Sequence, residues 1–288
     1  MIGLSEQKES FFKSSFFIRT CSGAVLVLLI LFLLLNGGNI LLAGLGIISL
    51  IGVFELYRVV KIQDKPLGFV GYLMTAAYYA HLYLAPGASD QMVFLFIASL
   101  ILFLTVYVLC FPGYASEQVM TAFFGLFYVP VMLSYIYQCR SLEGGIYLVW
   151  LVFLCSWGCD TCAYLAGITF GKHKMAPILS PKKSVEGAVG GVLGAVLLGA
   201  LFGHVFRTQI PFANPAAACG VICGVGSLIS MIGDLAASAI KRNHEVKDYG
   251  RLIPGHGGIL DRFDSVIFTA PVIYYTVLYF TMKALSSG

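Results

Sequence analysis

The chain has 288 residues, 59% of them hydrophobic and only 11% charged, where a soluble domain carries about 25% charged residues. These figures exclude a soluble globular monomer, and the absence of long polar tracts, heptads or a G-X-Y period excludes disorder, coiled coil and collagen. A net charge of +4 is too small to point to a nucleic-acid partner.

A bilayer core of about 30 Å takes about 20 apolar residues per helix. Segments of that kind recur near 20–35, 40–59, 68–84, 91–111, 118–137, 145–167, 188–206, 216–240 and 263–283. The sequence therefore predicts an all-α polytopic membrane bundle of about nine transmembrane helices. The first segment, behind Lys8, Lys13 and Arg19, resembles a signal peptide, but no A-x-A site follows it and the next span starts within a few residues; it is expected to be retained. Residues 1–140 are nearly featureless spans and form a predicted N-terminal transmembrane scaffold. Residues 141–288 carry two long polar loops and form the predicted C-terminal catalytic part. Of the 32 charged residues, 17 fall between Asp160 and Asp264.

Counted on alternate sides of these spans, Lys and Arg divide 15 to 3, the minority being Arg140, Arg207 and Lys283. The positive-inside rule then places the N terminus in the cytoplasm and the C terminus outside. With no Arg- and Ser-rich transit peptide in view, the expected location is the cell inner (plasma) membrane, with the polar loops facing the cytoplasm. The eight cysteines sit mostly in apolar runs and are expected to pack as small hydrophobes. Cys159 and Cys162 form a CxxC without a second pair that a zinc site needs.

Carboxylates inside spans are costly unless they face a partner, water or a metal. Asp160 lies in the sixth predicted span, Asp234 in the eighth, and Asp261 and Asp264 open the ninth. Four hard oxygen donors from three helices, with no His-Cys pattern beside them, suit Mg²⁺. Ion pairing inside the bundle, such as Asp234 with Lys241 or Asp261 with Arg262, is the alternative. The run Pro254-Gly255-His256-Gly257-Gly258 can present backbone N–H groups to a phosphate, and Ser184 is a candidate N-cap preceded by Lys182 and Lys183. A plain turn and membrane anchoring by the lysines are the alternatives there. Gly167–His173 imitates a phosphate loop but is one residue short and lacks the Ser or Thr that must follow Lys172.

The stretch from Ser238 to Ser265 matches S-x-x-K-R-x4-K-D-x-G-x3-P-x-H-G-G-x2-D-R-x-D at every fixed position. It closely resembles the signature of phosphatidate cytidylyltransferases, the CDP-diacylglycerol synthases. Ser156-Trp157-x2-Asp160-Thr161, Gly171-Lys172, Ser180-Pro181-Lys182-Lys183-Ser184-x-Glu186-Gly187 and Gly233-Asp234 look like further blocks of that family, so the resemblance covers about residues 150–270. It implies cytidylyl transfer from CTP to phosphatidic acid with Mg²⁺, a second, monovalent cation such as K⁺, and a homodimer. Carried onto this chain, it gives metal ligands Asp234, Asp261 and Asp264 and catalytic roles for these with His256, Lys247 and Arg262. Substrate contacts fall to Asp160, Lys172, Lys182, Lys183, Ser184, Ser238, Lys241, Arg242, Asp248, Gly257 and Gly258. A CTP-dependent polyprenol kinase and an ion-coupled transporter are the competing expectations.

Overall fold

The computed structural model describes the backbone of residues 2–286 and the side chains of residues 17, 18 and 20–283. Lys8, Lys13 and Arg19, counted above toward the basic face, lie outside the described side chains. Among the described residues, each of the nine predicted segments falls on a helix: α1 (Ile2–Asn36), α2 (Gly38–Val59), α3 (Pro66–Leu84), α4 (Ser89–Leu109), α5 (Ser116–Arg140), α6 (Gly145–Phe170), α7 (Val185–Val205), α8 (Pro215–Asn243) and α9 (Leu260–Ser286). Seven of them, α2 and α4–α9, are long and apolar enough to cross a membrane. The apolar part of α1 is the shorter Thr20–Asn36. α3 carries four tyrosines and His81, which lower its hydropathy. The buried hydroxyls of Tyr79 and Tyr78 on this helix are bonded to Ser49 and Ser134, each at 2.8 Å. The fold is all-α and polytopic.

Local chemistry sets the helix ends. Pro66 opens α3 and Pro215 opens α8, positions where a missing N–H removes no intrahelical bond. Ser184 Oγ accepts from Gly187 N at 3.1 Å and caps α7, as its place before the apolar run predicts. At the opposite end of the bundle Arg140 Nε donates 2.8 Å to the Leu34 carbonyl, closing the C-terminus of α1. Two π-helical turns interrupt the long helices: Phe127–Val131, which contains Pro130, and Leu154–Gly158, just before Asp160.

The tightest packing is α7 against α6 and α8. Gly187, Gly191, Ala195, Gly199 and Gly203 form one buried stripe of α7 at a four-residue spacing, the small-residue pattern that lets helix backbones approach in a bilayer. A Cβ on Gly199 would stand 2.6 Å from the Cys219 carbonyl oxygen, and one on Gly191 would stand 3.1 Å from that of Cys159. Cys155, Cys159, Cys219 and Cys223 are buried in this region as free thiols, in the packing role expected of them. The loop between α6 and α7, expected to be long and polar, contains a short antiparallel hairpin, β1 (Lys174–Ala176) and β2 (Ser180–Ser184), with Lys174 opposite Ser184. Pro181 is tolerated because a two-stranded ribbon has only edge strands.

Candidate active site

Three helices deliver the carboxylates: α6 carries Asp160, α8 Asp234, and α9 both Asp261 and Asp264. Asp160 and Asp234 line one cavity together, and Asp160 and Asp264 another. Two cavities flank the group. One, of about 460 Å³, is lined by Asp160, Tyr164, Lys182, Lys183, Ser184 and Asp234 among mostly apolar side chains. The other, of about 220 Å³, is lined by Ser22, Asp160, His256, Asp261, Arg262 and Asp264. Asp160 belongs to both.

The pairings offered as alternatives, Asp234 with Lys241 and Asp261 with Arg262, are not the ones made. Asp234 pairs with Lys183, brought over by β2. Asp261 Oδ1 accepts from Lys241 Nζ at 2.8 Å, while Oδ2 accepts from Tyr249 N at 2.8 Å, Gly258 N at 3.0 Å and Gly250 N at 3.4 Å. With a side chain only 2% exposed, Asp261 ties both ends of the 244–259 loop to α8 and α9. Burial pushes the Tyr249 phenol in this loop above its ordinary range, so it stays neutral and donates to the Ala237 carbonyl.

The loop glycines follow from crowding. A Cβ on Gly250 or Gly258 would overlap the carboxylate of Glu55, and Gly257 has φ +89°. Glu55 comes from α2: its two oxygens accept from Ile259 N at 3.1 Å and Leu260 N at 2.8 Å, satisfying the first amides of α9 from another helix. Of the run expected to face a phosphate, the Gly258 amide is therefore bonded to the protein's own Asp261. His256 N likewise donates to the Ile253 carbonyl at 3.0 Å. Arg262 Nε is buried without a hydrogen-bond partner, in a residue that lines the smaller cavity.

His256 is held from α1. Ser22 Oγ donates to the Pro254 carbonyl at 3.0 Å and lies 2.8 Å from His256 Nδ1. Ser22 thus fixes the orientation of the imidazole ring at the smaller cavity.

Other expected site residues stand apart. Lys172, Arg242, Lys247 and Asp248 are exposed, and these four with Ser238 line neither cavity. The Lys172 amide and the His173 amide both donate to Glu186, which also meets His173 Nδ1 at 2.6 Å and braces the hairpin. Lys182 lines the larger cavity, and Gly257 stands next to Asp261. Sequence reasoning missed Ser22, Glu55, Arg58 and Tyr128. Arg58 Nη2 donates 2.6 Å to the Tyr249 carbonyl, and the Tyr128 hydroxyl is buried, unpartnered and within the field of Asp264 and Asp234. Glu55 carries the same signal that drew attention to Asp160, a carboxylate inside an apolar span.

As a metal site the donors fit in part. Among the described residues no three His, Cys, Asp or Glu side chains form a closed ligand group. Mg²⁺, however, is commonly held by one or two carboxylates, with water and substrate phosphates completing the shell. Asp160 makes no ion pair or hydrogen bond among the described residues, and Asp264 accepts only from Ser265 N at 2.8 Å. Both retain free oxygens at the smaller cavity.

Residues 17–280 match the model of the cytidylyltransferase family. The chain belongs to that family. It is 32% identical over 274 residues to the phosphatidate cytidylyltransferase of Bacillus subtilis (strain 168), covering 91% of this chain and 98% of that protein. The proteins of the same name from Staphylococcus aureus (strain COL) and Staphylococcus saprophyticus are 30% and 31% identical, each covering 89% of this chain and 96% of the relative. In this chain an arginine whose Nε is buried without a partner lines the same cavity as the carboxylates of Asp160 and Asp264.

Proposed function

We propose that this enzyme transfers the cytidylyl group of CTP to phosphatidic acid, releasing pyrophosphate and forming CDP-diacylglycerol for phospholipid synthesis. The observation that carries the reading is the smaller cavity, where Arg262 Nε is buried without a partner beside Asp160 and Asp264. A phosphate monoester with a second pKa near 6 is largely dianionic at neutral pH, so its oxygen attacks the α-phosphorus of CTP without an enzyme nucleophile. One P–O bond forms and the P–O bond to pyrophosphate breaks. Like-charge repulsion is the obstacle, and catalysis is mostly positioning and charge neutralisation.

Asp160 and Asp264 would hold Mg²⁺, with Asp234 available once Lys183 turns to substrate; the bound ion would neutralise phosphate charge. Arg262 binds phosphate oxygens in the smaller cavity. Lys183 and Lys182 face the larger, mostly apolar cavity, which suits the lipid phosphate and the start of its acyl chains. His256, steadied by Ser22, lines the smaller cavity beside the reacting phosphates. Asp261 and Lys241 hold the loop rather than reach substrate. Bacterial relatives and the basic side of the bundle favour a plasma-membrane enzyme with its site toward the cytoplasm. A second, monovalent cation and a homodimer complete the proposal.

CTP labelled at the α-phosphate should transfer label to the lipid when phosphatidic acid is supplied with Mg²⁺, and CTP labelled at the γ-phosphate should not. Label from the γ-position would identify a lipid kinase and overturn the assignment. Lys183→Ala should raise the KM for phosphatidic acid several-fold with a smaller change for CTP. Lys247→Ala, altering an exposed side chain outside both cavities, should change either constant less than twofold; steady-state kinetics with each substrate varied in turn tests both.

A further inference from the structure

A third cavity, of about 530 Å³, lies on the far side of the 244–259 loop. Leu50, Phe54 and Arg58 follow one another at four-residue intervals along one face of α2, a stripe of about 12 Å, and Tyr72 of α3 faces them across the groove. Arg251 and Leu252 of the loop close its end, and Leu252 is 58% exposed. The groove is apolar along Leu50 and Phe54, and Arg58 and Arg251 both line it. Neither arginine makes an ion pair among the described residues. One of the five N–H groups of Arg58 goes to the Tyr249 carbonyl. Glu55 also lines the groove, with both carboxylate oxygens turned to backbone amides of α9.

The layout matches a glycerophospholipid, with acyl carbon against Leu50, Phe54 and Tyr72 and a negative phosphate between two guanidinium groups. We propose that this groove binds an anionic phospholipid of the surrounding bilayer, apart from the reaction cavities, and that the bound lipid holds the 244–259 loop against α2. The loop is the shared wall: Arg251 and Leu252 line this groove, whereas Ile253 and His256 line the smaller cavity. Ile253 N to Gly257 O, at 2.8 Å, pins the two faces together. A phosphate bridging Arg58 and Arg251 therefore ties α2 to the strip of backbone that Asp261 fastens from inside. Membrane anchoring by arginines alone predicts a diffuse preference for anionic headgroups with no stoichiometric site and no ordering of the loop.

The test is native mass spectrometry of the full-length protein released from phosphatidylcholine nanodiscs doped with phosphatidylglycerol, and it does not depend on the reaction assigned above. The unaltered protein should retain one phosphatidylglycerol in preference to phosphatidylcholine. Arg251→Gln should lower that retention roughly fivefold, the effect of one basic residue near a membrane surface. Arg251→Lys should keep most of it, and Arg207→Gln, on the sparsely charged side, should keep all. Amide exchange at residues 249–259 should be slower in discs containing phosphatidylglycerol than in phosphatidylcholine alone. Equal retention of the two lipids, or retention unaffected by Arg251→Gln, would overturn the proposal. So would equal loop protection by inorganic phosphate in lipid-free detergent, which would make the site one for free anions.

Discussion

Asp264→Asn and Asp261→Asn are both expected to lower turnover by roughly 10²–10³-fold, the range seen when one preorganised electrostatic group is removed, but for different reasons that stability measurements separate. Asp264 has one hydrogen bond, from the neighbouring Ser265 amide, and its remaining oxygen capacity faces the smaller cavity. Its amide variant keeps the fold and loses a charge where the phosphates gather. Asp261 accepts four hydrogen bonds, one of them from Lys241, whose own side chain is only 12% exposed. Asparagine there leaves a buried ammonium without its counter-charge, a change that costs about 3–5 kcal/mol when one member of a buried pair is removed. Thermal unfolding in detergent should therefore show a clear loss for Asp261→Asn and little change for Asp264→Asn. Adding Lys241→Met to Asp261→Asn should recover part of the stability and none of the turnover. Equal stability loss in the two single variants would place Asp264 among the structural carboxylates and remove it from the phosphate site.

The spans were legible because apolar runs of bilayer length, broken by short polar turns, leave few alternatives, and the Ser184 cap was legible because its signal is local. The carboxylates were legible as anomalies, since each stands in or beside an apolar helix. Their partners were not. Lys183 reaches Asp234 because a hairpin forms in what reads as a polar loop, and Pro181 discourages reading a strand there. The glycine run was read as a phosphate cradle from its backbone freedom, yet its Gly258 amide is engaged by Asp261 and the two amides just after the run by Glu55. That use is invisible without knowing that α2 packs beside the loop, about 200 residues away in sequence. The predicted scaffold also supplies Ser22 to His256 and Arg58 to Tyr249. Neither contact leaves a mark in local pattern or composition.

Glu55→Gln should be the most damaging single-atom-scale change in the first 140 residues. The carboxylate accepts one amide on each oxygen, Ile259 on Oε1 and Leu260 on Oε2. A glutamine of the same shape has one acceptor and one donor, so one of these helix-opening amides would face an NH₂ group. A buried donor left unsatisfied costs about 1–3 kcal/mol, and the loss of negative charge at the N-terminus of α9 adds to it. Gly250 and Gly258 pack directly on this carboxylate, which restricts how far a replaced side chain can move toward the loop. The strain then passes to the loop, which carries His256, and to the first turn of α9, which carries Asp261 and Arg262. Turnover should fall at least about tenfold, one factor of ten for each 1.36 kcal/mol of lost transition-state stabilisation, with substrate KM values changing less. Amide exchange should rise at residues 249–262 and stay unchanged in α7. Glu55→Asp keeps the charge but shortens the reach, and should fall between glutamine and the unaltered protein. Normal turnover in Glu55→Gln with unchanged exchange in the loop would show that α2 merely packs beside the site and does not organise it.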